Sequence, residues 1–409
     1  MSKPIGPIPE GFTTQEGELA IDGHRVSELA QMAETMPFFV YSRTLLDTRM
    51  AALRAVLPSR IGVNYAIKAN PHRDVVTHMQ SLVDGFDIAS SGELELAISV
   101  GISPSLISFA GPGKRDEELE AAIKAGVTLN CESEGEAMRA LAIGRRIGRQ
   151  PRIAIRVNPD FQLKGSGMKM GGGAKPFGID AERVPDLARQ ILSSDAEWRG
   201  LHIFTGSQTL KADAIIEAQA NILKLASYLS NRIGVALPKL NMGGGFGIPY
   251  FFQDQPVDIA SVGASLHTMV TDLPPQLAET ELCLELGRYL VGEAGVYLCR
   301  VVDRKVSHNV TYLVTDGGLH HQLAASGNFG TVVRRNYPVA IASRFDAQPE
   351  EDVNIVGCLC TPLDRLADEA RVPRADVGDI VAVFCAGAYG ATASPSAFLG
   401  HAPAAEVLI

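Results

Sequence analysis

The chain has 409 residues, 46% hydrophobic and 20% charged, the make-up of a globular protein long enough for a large core and two domains. Its net charge of −9 leaves no basic excess to neutralise phosphates, which argues against nucleic acid as a general partner. No apolar run is long enough to span a bilayer, residues 1–7 carry no signal-like apolar core, and the six cysteines include no Cys-x-x-Cys pair. A cytoplasmic protein with free thiols, no membrane partner and no metal is expected.

Residues 1–35 are rich in Gly and Pro and then polar, with apolar patches at Leu19, Ile21, Val26 and Leu29; they predict a lead-in strand and helix. Leu46, Met50, Leu53 and Leu57 recur at spacings of four, three and four, which predicts a helix over 43–57. The apolar run from Ile61 to Ile67 predicts a buried strand that delivers Lys68 just before Asn70-Pro71. From there strands and helices alternate. Strands are predicted at 61–68, 86–90, 106–110, 127–133, 152–159, 198–207, 239–247 and 281–287. Helices are predicted at 73–83, 91–100, 115–125, 134–147, 180–193, 211–232 and 258–271. Ser90 and Glu93 have the spacing of a capping box.

Eight βα steps in this span fit a (β/α)₈ barrel, although a doubly wound open sheet shows the same local alternation. The glycines favour the barrel. Strand seven ends in Asn241-Met242-Gly243-Gly244-Gly245-Phe246-Gly247 and strand eight in Glu285-Leu286-Gly287-Arg288, where barrels commonly build a phosphate site. After Arg288 the pattern turns β-rich, at 296–306, 310–314, 338–343, 353–360 and 379–384, which predicts an all-β domain. The expected division is a lead-in at 1–35 packing on the β domain, a barrel at 36–288 and a β domain at 289–409. The glycine-rich segment 165–175 reads as a lid or as a plain flexible linker.

Chemistry enters through a few side chains. Lys68 at a strand end is either a nucleophilic amine, suited to an imine with an aldehyde cofactor, or a lysine that snorkels to water. A triple glycine admits close approach of backbone amides to an anion, and Arg288 adds a bidentate fork. Glu285 has the character to hold a pyridine nitrogen protonated, or to form an ordinary ion pair. His202, Phe204 and Gly206 fall on one face of strand six by period two. An aromatic there stacks on a cofactor ring or merely packs, and Ser207 is a donor for its phosphate.

Six segments in order carry a resemblance over nearly the whole chain. They are Tyr65-Ala66-Ile67-Lys68-Ala69-Asn70, Phe86-Asp87-Ile88-Ala89-Ser90, Gly243-Gly244-Gly245, Glu285-x-Gly287-Arg288, Cys360-x-x-x-Asp364 and Gly387-Ala388-Tyr389. Together they resemble the fold-type III pyridoxal-phosphate-dependent decarboxylases, the group of the diaminopimelate and ornithine decarboxylases. The resemblance implies an alanine-racemase-like architecture, a (β/α)₈ barrel followed by an all-β domain, with pyridoxal 5'-phosphate as cofactor. It also implies a homodimer whose active sites are shared across the interface. In its terms Lys68 would carry the cofactor and Glu285 would bind the pyridinium nitrogen. Gly244, Gly245, Ser207, Arg288 and Tyr389 would hold the phosphate, with Asp87 and Arg156 near the cofactor. Cys360 would come from the partner subunit and return a proton after CO₂ leaves.

Departures from the family bear on the substrate. Phe204 stands where a stacking histidine is usual, and His202 is a candidate to compensate. The residue after the active-site cysteine is a glutamate or aspartate in the diaminopimelate and ornithine enzymes; here it is Thr361, with Asp364 three residues on. A buried ammonium left without its carboxylate costs roughly 3–5 kcal/mol, or about two to three and a half decades of affinity. Ala324 and Asn328 replace an Arg and a Tyr that would take a distal carboxylate. The 168–173 loop, the 202–208 stretch and the ending at 394–401 resemble more closely a subgroup accompanying exosortase and exopolysaccharide gene sets. That subgroup is similar to the decarboxylase acting on carrier-protein-bound glutamate. The expected function is therefore decarboxylation of an α-amino acid or its carrier-bound derivative, with Lys164, Lys169 and Lys175 available to an acidic acyl carrier protein. The alternatives are a diaminopimelate decarboxylase, an amino-acid racemase of the same fold, and a non-catalytic decarboxylase-like binding protein.

Overall fold

In Ile61–Ala66, the first strand of a barrel, every residue but Gly62 is buried, as a strand covered on both faces requires. It is one of eight parallel strands, followed by Gly85–Ile88, Ile107–Phe109, Thr128–Cys131, Arg152–Asn158, Glu197–His202, Lys239–Gly244 and Glu281–Leu286. Each pairs with the next, and the eighth pairs back with the first from Leu282 opposite Ile61 to Leu286 opposite Tyr65. That last ladder closes the ring and excludes the open doubly wound sheet.

The computed structural model describes residues 2–33, 35–327 and 334–409. The chain divides into two units, the barrel unit of Met50–Gly247 with Pro256–Gly287, and a second of Met1–Arg49, Ile248–Gln255 and Arg288–Ile409. In the barrel unit the helices follow the apolar periodicity. Ala212–Ile233 buries Ile215, Ala218, Ile222, Ala226, Leu229 and Ile233 along one stripe. Ser90 caps Ser91–Ser99 by accepting from the Glu93 amide at 3.2 Å. Glu93 reaches back one residue further than a capping box requires, to the Ala89 amide at 2.6 Å.

In the second unit a sheet runs in the order Val339–Ile341, Ile380–Val383, Gly295–Ser307, Val310–Thr315, Glu351–Val356 and Arg365–Val372. The start of Gly295–Ser307 also pairs antiparallel with Phe38–Tyr41, which pairs parallel with Ala405–Leu408. Phe38, Val40, Val296, Leu298, Ile380, Ala382 and Phe384 form its core with Leu19, Ile21, Val26 and Leu29 from the N-terminal segment. Among the described residues no helix is long and apolar enough to cross a membrane.

Candidate active site

The C-terminal ends of the barrel strands gather the chemistry. Strand one runs on into the single turn Ile67–Ala69, which carries Lys68. In register, Glu285 lies opposite Asn64 of strand one and Gly244 of strand seven, and His202 closes strand six. Lys68 Nζ stands 3.8 Å from Glu285 Oε1, and 5.8 Å from the centre of the Phe204 ring. The lysine side chain is 41% exposed and that of Glu285 only 4%. A partly exposed amine thus sits beside a buried anion.

His202 defines that anion. Its Nε2 lies 2.9 Å from Glu285 Oε2. Burial pushes the imidazole below its usual pKa against the pull of Glu285, so the neutral ring donates Nε2–H to the carboxylate. Burial alone would raise the Glu285 pKa, but the His202 hydrogen bond and the Lys68 charge outweigh it and bring it to about 2. One carboxylate oxygen is held by His202, and the other faces the amine. The ring of His202 meets Phe204 edge-on, centroids 6.5 Å apart, so Phe204 presents the aromatic face while His202 serves Glu285.

Asp87, on strand two, is also buried. Ser108 Oγ donates to its Oδ1 and Asn64 also bonds its side chain, while Oδ2 has no hydrogen-bond partner among the described residues. Burial and the Glu285 charge raise its pKa to about 7. Arg156, on strand five, donates to Glu132 Oε1 at 2.8 Å and lies 5.1 Å from the Phe177 ring. Glu132 also accepts from the Gly111 and Gly178 amides. Arg156 is therefore anchored, and acts on Glu285 through its charge. Asn64, Ser108 and Glu132 escaped the sequence reading; their one signal was polarity inside or at the end of an apolar strand.

At the end of strand seven the turn 243–245 admits glycine alone. Gly245 has φ +83°, and a Cβ on it would stand 2.5 Å from the Gly206 carbonyl oxygen. A Cβ on Gly244 would stand 2.2 Å from the Glu285 carbonyl oxygen. The turn is tied to the loop after strand six by Thr209 N–H to Gly245 O, at 2.9 Å. Ser207 lies half-buried on that loop. Met168-Lys169 pairs antiparallel with Gly206-Ser207, and the Gly167 and Met170 amides donate to Gln208 and Thr205. The 165–175 segment is thus laid along this loop by backbone hydrogen bonds.

Within the second unit, Arg288 Nη1 donates to the Tyr250 hydroxyl at 2.7 Å, and its guanidinium lies 4.7 Å from the Tyr389 ring centre. Its Nε is buried with no partner among the described residues. Tyr389 holds φ +55°, an uncommon conformation for an aromatic. Cys360 is exposed and Thr361 half-buried. Asp364 is buried, and its two oxygens accept the Leu319 and Leu359 amides at 2.6 and 2.8 Å, so it shapes the turn that carries Cys360. Ala324 lies in the short turn Leu323–Ser326, and Asn328 falls outside the described residues.

Pyridoxal phosphate needs an amine for its aldehyde, an anion facing its ring nitrogen and close backbone approach for its phosphate. Lys68, the ionised Glu285 and the 243–245 turn meet these needs at one end of one barrel, and Asp87 Oδ2 adds a buried polar atom with no partner among the described residues. The residues present fit the group. A family model described as "Pyridoxal-dependent decarboxylase, pyridoxal binding domain" matches residues 43–292. The chain is 34% identical over 396 residues to L-glutamyl-(BtrI acyl-carrier protein) decarboxylase of Niallia circulans, covering 95% of this chain and 92% of that protein. It is 33% identical over 401 residues to diaminopimelate decarboxylase of Archaeoglobus fulgidus, covering 97% and 93%. Its structure is similar to that of a mutant diaminopimelate decarboxylase from Helicobacter pylori complexed with L-lysine, with TM-score 0.82, 25% identity and 94% of each chain covered. The chain belongs to the pyridoxal-dependent decarboxylases, and is a carbon–carbon lyase that uses pyridoxal 5'-phosphate.

Proposed function

We propose that this decarboxylase acts on an α-amino acid whose distal end is uncharged, in the first place glutamate held by an acyl carrier protein, and that it works in the cytoplasm as a homodimer. The observation that carries the reading is the turn after Cys360. Thr361, Pro362 and Leu363 bear no charge, and the nearest carboxylate, Asp364, is buried and occupied by two backbone amides. A substrate ammonium would find no anion there, whereas a neutral thioester arm needs none. The name of the Niallia circulans relative supports the same substrate class.

In this reading residues 36–288 bind the cofactor, 289–409 supply the turn bearing Cys360, and 1–35 are a lead-in. Lys68 holds the cofactor, Phe204 stacks on its ring, and Glu285, ionised and fixed by His202, faces the ring nitrogen. Asp87 and Arg156 set the local charge. Gly244, Gly245, Ser207, Arg288 and Tyr389 take the phosphate, and the last two also border the substrate with Thr361. When bound, pyridoxal phosphate supplies an electron sink for the charge left as CO₂ departs. The Cys360 thiol, contributed by the partner subunit, then delivers a proton from Sγ to the α-carbon. Lys169 is exposed and open to an acidic carrier, while Lys164 is already paired with Glu217 at 2.7 Å.

The test is CO₂ release from glutamate on its carrier protein and from free glutamate, ornithine, lysine and diaminopimelate. Carrier-bound glutamate should be turned over fastest. CO₂ released from free diaminopimelate at the rate of the best substrate would overturn the reading. Stereochemical inversion without CO₂ would indicate a racemase.

A further inference from the structure

In the second unit, three segments far apart in sequence bring together two histidines and a cysteine. His320 follows strand Val310–Thr315, Cys358 follows strand Glu351–Val356, and His401 precedes strand Ala405–Leu408. One ligand atom from each lies within 4.8 Å of the others. Cys358 Sγ is 4.0 Å from His401 Nε2, and the His320 and His401 rings are 4.9 Å apart.

His320 gives the cluster its meaning. It is fully buried, yet neither ring nitrogen has a hydrogen-bond partner among the described residues. A buried polar group left unsatisfied is costly, so its nitrogens call for a ligand. Its neighbour His321 is fully engaged, with Nδ1 3.0 Å from the Tyr297 hydroxyl and Nε2 2.9 Å from the Ala402 carbonyl oxygen. That second bond also holds the C-terminal segment, and with it His401, beside the cluster.

We propose that His320, Cys358 and His401 form a binding site for a divalent cation of the zinc class. Two imidazoles and a thiolate are a borderline-soft donor set suited to zinc, and three protein ligands leave the fourth tetrahedral position to water. Zinc–nitrogen and zinc–sulfur bonds of their usual lengths place tetrahedral ligand atoms about 3.4–3.6 Å apart. Small side-chain rotations therefore close the site. Binding breaks the Cys358 S–H bond, forms a metal–sulfur bond and releases one proton to solvent. Cys360, two residues on, is not among the ligands, so the site stands independently of the catalytic reading. No Cys-x-x-Cys spacing announces it, because the three ligands come from three separate segments.

The holoenzyme, stripped with a chelator, is titrated with zinc by calorimetry and with cobalt by absorbance. The cobalt-minus-zinc difference spectrum removes the cofactor's own bands. One zinc per chain, a buffer-dependent heat from the released proton and a thiolate-to-cobalt charge-transfer band are expected. Cys358→Ser should abolish the band, and His401→Ala, at an exposed position, should weaken zinc by more than the about 10–100-fold that loss of an outer-shell partner costs. Cys360→Ser should retain both metal and band. Absence of the band in the unaltered protein, or zinc affinity unchanged in Cys358→Ser and His401→Ala, would overturn the proposal.

Discussion

Asp87 and Glu285 are buried carboxyls at one end of the same barrel, and they titrate in opposite directions. Burial and the charge of Glu285 lift Asp87 to about 7; at Glu285 burial acts upward too, but the His202 hydrogen bond and Lys68 bring it to about 2. Between about pH 4 and 7 folded Asp87 keeps a proton that the unfolded chain has released. Its contribution to stability is full below the ordinary value of 3.8 and is lost as pH rises through about 7. Glu285 contributes stability above 4.5 that is lost only as pH falls toward 2. Asp87→Asn should therefore flatten the decline in urea stability between pH 4 and 7, and remove a limb near pH 7 from the kcat/KM profile. An unchanged profile would place that limb elsewhere. Glu285→Gln keeps the shape but loses the anion, and should lower kcat by about 10²–10³-fold, the scale on which a single electrostatic contact to developing charge acts. Lys68 and Glu285 were legible in the sequence because each is a charge at the end of an apolar run. The bond that tunes Glu285 was not, since His202 read equally well as a ring facing the cofactor.

At the scale of elements, a buried lysine does what a strand pattern cannot announce. Lys114, in the loop after strand three, donates to the Gly111 and Asn130 carbonyl oxygens at 2.8 and 2.9 Å and to Glu136 Oε1 at 2.6 Å. It pins that loop to strand four and to the start of helix Glu134–Ile147, two residues before which Glu132 receives Arg156. Lys114→Met leaves Glu136 buried without its cation and should cost about 3–5 kcal/mol, read from urea unfolding. Lys114→Met with Glu136→Leu should recover most of that loss, and failure to recover would assign the cost to the two carbonyl bonds instead. Most barrel strands were legible because both faces are buried, which makes them short apolar runs between helices; Glu197–His202 and Lys239–Gly244 mix in polar residues. Strand Phe38–Tyr41 was not read, since its partners, Gly295–Leu298 and Ala405–Leu408, lie more than two hundred residues away. Nor was Arg365–Val372: its Asp368 is buried and polar, held by Arg334 and Arg365, and breaks the alternation a strand is recognised by.

For the whole molecule, the proposed dimer and the proposed role of Cys360 raise the question of which chain would supply the proton. Cys360 is exposed on its own unit, as are Leu363, Phe398 and Leu399, at 56%, 45% and 56%. These side chains lie on the two segments joined by the Cys358–His401 contact. In the proposed homodimer these exposed apolar side chains and Cys360 would face the interface between copies. In a two-fold dimer each site would take Lys68 from one protomer and Cys360 from the other. Lys68→Ala and Cys360→Ala, each purified alone, should then be nearly inactive. Co-expressed, they form mixed dimers in which one site carries both native residues and the other neither; random assortment makes about a quarter of all sites native. Measured CO₂ release should rise to about that fraction of the unaltered enzyme. If Lys68 and Cys360 instead act within one chain, every site in every mixed dimer lacks one of them, and co-expression restores nothing.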